Sequence, residues 1–255
     1  MNMHELTPQP FKRLFRRWLS FGVGTGLLLL ALFSAARFGL VMQANVTNNY
    51  GPVSVLFVVM ALAPLILLTG EGRSRIGMVR PTSLGGVTAG FCLGALACAA
   101  MVVTAGVLFG SGDDNAFVYI AGTYSGVPSP MDDQTRLILF AVFAVIGMTF
   151  SPIGEELFYR GLVHQTLTGR FGEGRASLFE AGAFALVHLA HFGLIWRTAG
   201  WTFLVGPAVW WVAGLFATGL VFSWARRASG SIIGSILAHA GFNLTMTAWI
   251  FFRVL

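Results

Sequence analysis

Charged residues are scarce in this chain. They make up 10% of its 255 residues, while 56% of the residues are hydrophobic. An average soluble domain carries about 25% charged residues, so this sequence cannot cover a folded domain with a polar surface. The length instead suits one all-α, polytopic transmembrane helix bundle of about seven to eight spans, because each span needs ~20 apolar residues.

Several catalytic and metal-binding motifs are also missing. Both cysteines, Cys92 and Cys98, fall within one apolar run and predict packing residues rather than a disulfide or a zinc knuckle. The sequence has no His-Glu-x-x-His helix, no Gly-x-Ser-x-Gly elbow, no phosphate-binding loop and no Gly-Asp pair with a second membrane aspartate. These absences argue against rhomboid-like serine chemistry, presenilin-like aspartyl chemistry and nucleotide hydrolysis.

Seven apolar stretches are predicted to span the membrane. The interpretation is a basic cytoplasmic N-terminus at 1–18, followed by a single transmembrane domain at 19–252. A charged helical piece at 154–168 directly follows the fourth stretch and is the candidate for an eighth, partly embedded helix. The seven stretches are 19–41, 53–69, 84–110, 134–153, 176–196, 201–224 and 231–252.

The basic residues indicate the orientation of the bundle. Counted from a cytoplasmic N-terminus, the arginine-containing loops 70–83, 154–175 and 225–230 all lie inside, as the positive-inside rule requires. This distribution argues against nucleic acid as a partner, despite a net charge of +6. The Gly- and Ala-rich composition without targeting segments leads us to expect a prokaryotic plasma membrane. Glycines four residues apart, such as Gly86, Gly90 and Gly94, predict close packing between helices.

Polar residues at apolar depth are the informative ones in a membrane protein, since burying them is costly unless they are paired or functional. The first group is Glu155, Glu156 and Arg160. On a helix, Glu156 and Arg160 can pair on one face, while Glu155 points ~100° away. The spacing predicts one neutralised carboxylate and one free to act on water as a general base. The alternative is a solvated charge cluster at the end of a span.

Histidines provide the second and third groups. His188 lies about 12 residues into its stretch, ~18 Å along the helix axis, and His191 follows one turn later. A lone histidine on an apolar helix usually packs through a hydrogen bond, and this reading suits His191 better because it lies nearer the outer end. His239 and Asn243 are four residues apart on one helix face, so both can reach the same point in the bundle.

These residues leave the chemistry open between two schemes. Glu155, His188 and His239 are residue types that zinc accepts as ligands. Without a metal, Glu155 could activate water while histidine or asparagine stabilises the oxyanion.

The three groups, in this order, resemble the motifs of the CPBP family, which comprises type II CAAX prenyl endopeptidases and their prokaryotic relatives, often called Abi proteins. The resemblance covers a catalytic core at about 130–250. The family pattern reads Glu-Glu-x-x-x-Arg, then Phe-x-x-x-His, then His-x-x-x-Asn or Asp. Here it corresponds to Glu155-Glu156 with Arg160, Phe184 with His188, and His239 with Asn243.

The resemblance implies a helical bundle of about eight spans with a cavity open toward the cytoplasm. It also implies that Glu155 is the water-activating base and that Glu156 and Arg160 form its supporting pair. His188, His239 and Asn243 would complete the site as oxyanion donors or metal ligands. Members of the family are usually described as metalloproteases, so Zn²⁺ held by His188, His239 and Glu155 is one expectation.

The resulting prediction is an intramembrane endopeptidase that hydrolyses membrane-associated, lipidated or small precursor peptides. Its expected partners are a peptide or lipidated protein substrate and the surrounding membrane lipid. The rival hypothesis is a non-catalytic scaffold or immunity protein, or a transporter, that uses the same polar cavity. An inverted-repeat transporter is disfavoured because the polar groups lie only in the second half. A haem or di-iron protein would need more inward histidines or Glu-x-x-His pairs.

Overall fold

The protein is a bundle of long helices, as the computed structural model shows for residues 10–124, 126–128, 130–198 and 200–255. Helices make up 77% of it, which confirms the predicted all-α architecture. The α-helices are α1 (Val23–Thr47), α2 (Gly51–Leu67), α3 (Gly70–Arg75), α4 (Leu84–Phe109), α5 (Ala116–Gly122), α6 (Asp133–Glu156), α7 (His164–Val187), α8 (Val205–Ser229) and α9 (Ile232–Trp249).

Irregular helical segments extend several of these helices. A π-helical segment, Leu157–Val163, joins α6 directly to α7, so the predicted piece at 154–168 is a continuation rather than a separate helix. Gly172 then breaks α7 with a φ of 75°, a conformation that glycine adopts readily. A 3₁₀ turn, His188–Ala190, follows α7, and a second π-helical segment, Ile250–Val254, follows α9.

The lengths of the helices fit an integral membrane protein. Among the described residues, five helical stretches are long and apolar enough to cross a bilayer: α1, α4, the continuous run containing α6 and α7, α8 and α9. The apolar helix α2 is shorter, at 17 residues. Residues 1–9 of the predicted basic N-terminus lie outside the described residues. Phe11 is buried and forms a β-bridge with Leu68, which ties this segment to the end of α2.

One predicted span ends earlier than the sequence suggested. The stretch 176–196 is helical only to Ala190, and its remainder enters a hairpin of β1 (Leu194–Arg197) and β2 (Gly200–Phe203), which delays the start of α8. Gly193, with a φ of 107°, makes the turn out of the helix. A short apolar run fits a strand as well as a helix, so hydropathy did not distinguish the two.

Small residues bring α4 close to α8 and α9. A Cβ built on Gly94 would overlap the carbonyl oxygen of Ala238, and one on Gly86 would overlap that of Ala228. The glycine strip therefore does pack against neighbouring backbones, as its spacing predicts. In the stretch that contains α9, 56% of the residues in its 18-residue apolar segment are buried, against 17–39% in the corresponding segments of the other four stretches. This helix therefore lies most deeply in the bundle.

Candidate active site

Glu155 and Glu156 end α6 inside the bundle, where both side chains are fully buried. Gly154 allows this position because a Cβ there would overlap the backbone carbonyl of Phe57 on α2. Buried carboxylates need compensating partners, since removing a charge from water is costly. Each of the two glutamates has an arginine.

Glu156 is held by the arginine that the spacing predicts. Arg160 NH1 lies 3.0 Å from Glu156 Oε1, in a fully buried i, i+4 ion pair. Arg160 Nε also lies 3.0 Å from Oε2 of Glu180 on α7. The guanidinium carbon lies 4.3 Å from the ring centroid of Phe184, which adds a cation–π contact. Glu156, Arg160 and Glu180 therefore form a buried charged layer, which contacts His239 through Glu156.

Glu155 differs from its expected state. The sequence predicted a carboxylate without a cationic partner, but Arg37 Nε of α1 lies 2.7 Å from Glu155 Oε1. The hydroxyl of Ser151, one turn earlier on α6, donates to Glu155 Oε2 at 3.1 Å. The expectation of a free carboxylate was wrong because it considered only the local helix. The arginine comes from another part of the chain.

His188 is fixed through both ring nitrogens. Its Nδ1 lies 2.6 Å from the carbonyl oxygen of Phe184, and its Nε2 lies 2.9 Å from Arg37 NH2. A carbonyl only accepts and a guanidinium only donates, so the contacts assign the proton to Nδ1 and leave Nε2 as an acceptor. His191 stacks near His188 at 5.6 Å between ring centroids and near Tyr50 at 6.3 Å.

His239 lies between the two glutamates. Its Nδ1 lies 2.9 Å from Glu156 Oε1, and its Nε2 lies 3.8 Å from Glu155 Oε2. The ring stacks on Phe222 with 4.8 Å between centroids. One turn later, Asn243 donates from Nδ2 to the carbonyl oxygen of Gly147 at 2.8 Å. Both side chains face the same cavity, as their i, i+4 spacing predicts.

That cavity has a volume of about 370 Å³. It extends from the site toward the end of the bundle that holds α5 and the α1–α2 connection, the opposite end from the basic loops. Burial raises the pKa of Tyr50, on this wall, to about 12, so its hydroxyl stays protonated and donates to Asn45. Glu155 does not line the cavity itself, but it contacts Arg37, Ser151 and His239, which do. The polar lining includes Arg37, Ser151, His188, His191, His239 and Asn243, and its aromatic lining includes Phe57, Tyr124, Phe143, Phe150, Phe184, Trp211, Phe222 and Phe242.

A second polar layer continues toward the basic end. Ser223 donates to Glu180 Oε1 at 2.5 Å, and His164 Nδ1 lies 3.7 Å from the same oxygen. His164 Nε2 lies 2.9 Å from Glu173, whose side chain is 57% exposed. Sequence analysis missed Arg37, Glu180 and His164. All three are ionisable residues within predicted helical stretches, which is the signal that could have identified them.

The contacts do not fit the zinc site that was one expectation. Arg37 already engages Glu155 Oε1 and His188 Nε2, and it places a positive charge where a metal ion between these ligands would lie. The described residues contain no group of three His, Cys, Asp or Glu side chains arranged to hold a metal ion. Two of the expected donor atoms, Glu155 Oε1 and His188 Nε2, are therefore already engaged by Arg37.

The segment that carries these residues matches a known protein family. Residues 137–245 match the family described as Type II CAAX prenyl endopeptidase, Rce1-like. The match includes Glu155, Glu156, His188, His239 and Asn243, whereas Arg37 lies outside it. No curated protein and no solved structure gives a significant match to the chain.

Proposed function

We propose that the chain, whose residues 137–245 match the family of Rce1-like type II CAAX prenyl endopeptidases, is a member of that family and an intramembrane endopeptidase in which Glu155 activates the attacking water. The main support is the convergence of residues from three segments of the chain: His188, His239 and Asn243 line one cavity, and Glu155 lies 3.8 Å from His239. Residues that only pack have no reason to place so many hydrogen-bonding groups around one space inside a membrane.

In the proposed reaction, water binds at the cavity wall beside Glu155 Oε2 and His239 Nε2, which are 3.8 Å apart. Glu155 takes a proton from the water as the oxygen attacks the peptide carbonyl carbon. Asn243 faces the cavity and donates to the oxyanion of the tetrahedral intermediate. Because His239 Nδ1 already donates to Glu156, His239 joins it as a donor through Nε2 in its protonated, imidazolium form. The proton then passes to the leaving nitrogen, the C–N bond breaks, and a carboxylate and an amine leave. No covalent enzyme intermediate forms.

The substrate class follows from the cavity lining. Its aromatic and aliphatic walls suit an apolar or lipidated peptide that reaches the site from within the bilayer. We propose a membrane-associated, lipidated or small precursor peptide as substrate. We also propose that the basic loops face the cytoplasm of a prokaryotic cell, since the positive-inside rule favours that orientation.

The test is cleavage of quenched fluorescent peptides by purified protein in detergent. Glu155→Gln keeps the shape of the side chain and removes the base, so we expect the turnover number to fall by about 10²–10⁴-fold. Glu71→Gln, which changes an exposed glutamate on α3, is the control and should retain native activity. Thermal unfolding of each variant checks that the fold is retained. Native-like turnover by folded Glu155→Gln would refute Glu155 as the base.

One observation favours a second candidate, a non-catalytic membrane scaffold or immunity protein. Glu155 and Glu156 are fully buried and ion-paired, as in a structural charge network. This candidate predicts that native protein and Glu155→Gln are equally inactive on every peptide while both remain folded. The same assay therefore separates the two functions.

A further inference from the structure

Arg37 is a buried charge in the first long helix. Its side chain is 2% exposed, and α1 lies outside the segment that matches the peptidase family. It nevertheless contacts two residues of the site at once, Glu155 at 2.7 Å and His188 at 2.9 Å. An arginine at this depth is costly and is usually retained for pairing or function.

One nitrogen of the guanidinium has no polar contact. Arg37 NH2 forms a hydrogen bond with His188, and Nε lies within ion-pair distance of Glu155 without hydrogen-bond geometry. The buried NH1 has neither a hydrogen bond nor an ion pair in the described structure. Arg37 also lines the cavity. A buried, unpartnered donor beside a cavity is unfavourable unless a ligand satisfies it.

We propose that Arg37 is a catalytic residue, and that its NH1 group donates to the carbonyl oxygen of the scissile peptide bond. The proposal rests on the endopeptidase function above. Arg37 then holds Glu155 and His188 in place and also presents positive charge to the oxygen that becomes negative during attack. A fixed cation at this point performs the polarisation that a metal ion would supply in a metallopeptidase.

This arrangement explains why the histidines and the glutamate do not form a metal-binding set. The guanidinium uses the same lone pairs, on Glu155 Oε1 and His188 Nε2, that a metal ion would need. A planar arginine can satisfy two acceptors and still present a third N–H group to the substrate.

The experiment compares Arg37→Ala and Arg37→Lys with the native protein by peptide cleavage. We expect Arg37→Ala to lower kcat by about 10²–10³-fold with a smaller change in KM, as for loss of one oxyanion donor. Arg37→Lys should recover part of the rate. Methylguanidine added to Arg37→Ala should also restore turnover, which a purely structural role does not predict. Arg197→Ala, which breaks an exposed pair with Asp114, is the matched control.

A second measurement uses only native protein, so it does not depend on whether a variant folds. We expect full activity after treatment with a strong chelator, and less than stoichiometric zinc by elemental analysis. Activity that is lost on chelation and returns with one zinc ion per chain would overturn this inference and leave the endopeptidase function intact. Folded Arg37→Ala with native kcat would do the same. Native protein as inactive as Glu155→Gln would overturn the endopeptidase function, and with it this inference.

Discussion

At the residue scale, the most constrained group is the buried charged layer around Arg160. Arg160 lies between Glu156 and Glu180, at 3.0 Å from each, and none of the three side chains is exposed. Such a layer is stable only when every charge keeps its partner, because an isolated buried charge costs more than the pair gains. Since Glu156 also contacts His239, the layer holds the imidazole against the cavity.

We predict that Glu180→Gln destabilises the protein by about 3–5 kcal/mol, since Arg160 loses one of its two buried carboxylates. Thermal or denaturant unfolding in detergent measures this change. Glu71→Gln breaks an exposed pair with Arg75 and should cost about 1 kcal/mol or less. Equal effects of the two substitutions would show that burial does not strengthen the role of Glu180.

At the element scale, α9 depends on its contact with α4. His239 and Asn243 can face the cavity only if α9 keeps its position in the bundle. This helix packs against α4 where Gly94 contacts the backbone of Ala238. Ala238 directly precedes His239, so displacement at this contact moves the imidazole. The packing of these two helices and the position of His239 therefore depend on the same contact.

We therefore predict that Gly94→Ala lowers both stability, by about 2 kcal/mol from overpacking, and peptide cleavage. Gly106→Ala on the same helix is the control, since its Cβ would meet nothing within 4 Å. It should be neutral or slightly stabilising, because alanine favours helix more than glycine does. Similar losses in the two variants would exclude the α4–α9 contact as the cause.

At the scale of the whole molecule, different groups lie on the two sides of the site along the bundle. The basic loops and the second polar layer lie toward one end, and the cavity extends toward the end with α5 and Tyr50. The resemblance implied a cavity open toward the cytoplasm. With the basic loops inside, however, this cavity extends toward the outer face, so an orientation measurement determines the side from which substrate enters.

We predict that a membrane-impermeant maleimide labels Gly112→Cys in intact cells and labels Gly174→Cys only after permeabilisation. Both glycines are exposed at opposite ends of the bundle, and a side chain at either meets nothing within 4 Å. The native chain, whose Cys92 and Cys98 lie in α4, supplies the background. The reverse labelling pattern would place the basic loops outside and the cavity end in the cytoplasm.

The sequence by itself determined what depends on neighbours along one helix. Low charge and long apolar stretches specified a membrane bundle, and the i, i+4 rule specified the Glu156–Arg160 pair and the common face of His239 and Asn243. These features follow from helix periodicity, which needs no knowledge of other helices. The family motifs lie within the same local segments.

Only the tertiary structure decided which distant groups meet. The approach of Arg37 to Glu155 and the pairing of Arg160 with Glu180 depend on how helices pack, and hydropathy does not encode this. The hairpin after His191 likewise depends on strand pairing rather than on apolar content. The sequence predicted a free Glu155 carboxylate, but its complete burial in the folded bundle requires a partner. Which residue supplied it depended on packing across the bundle.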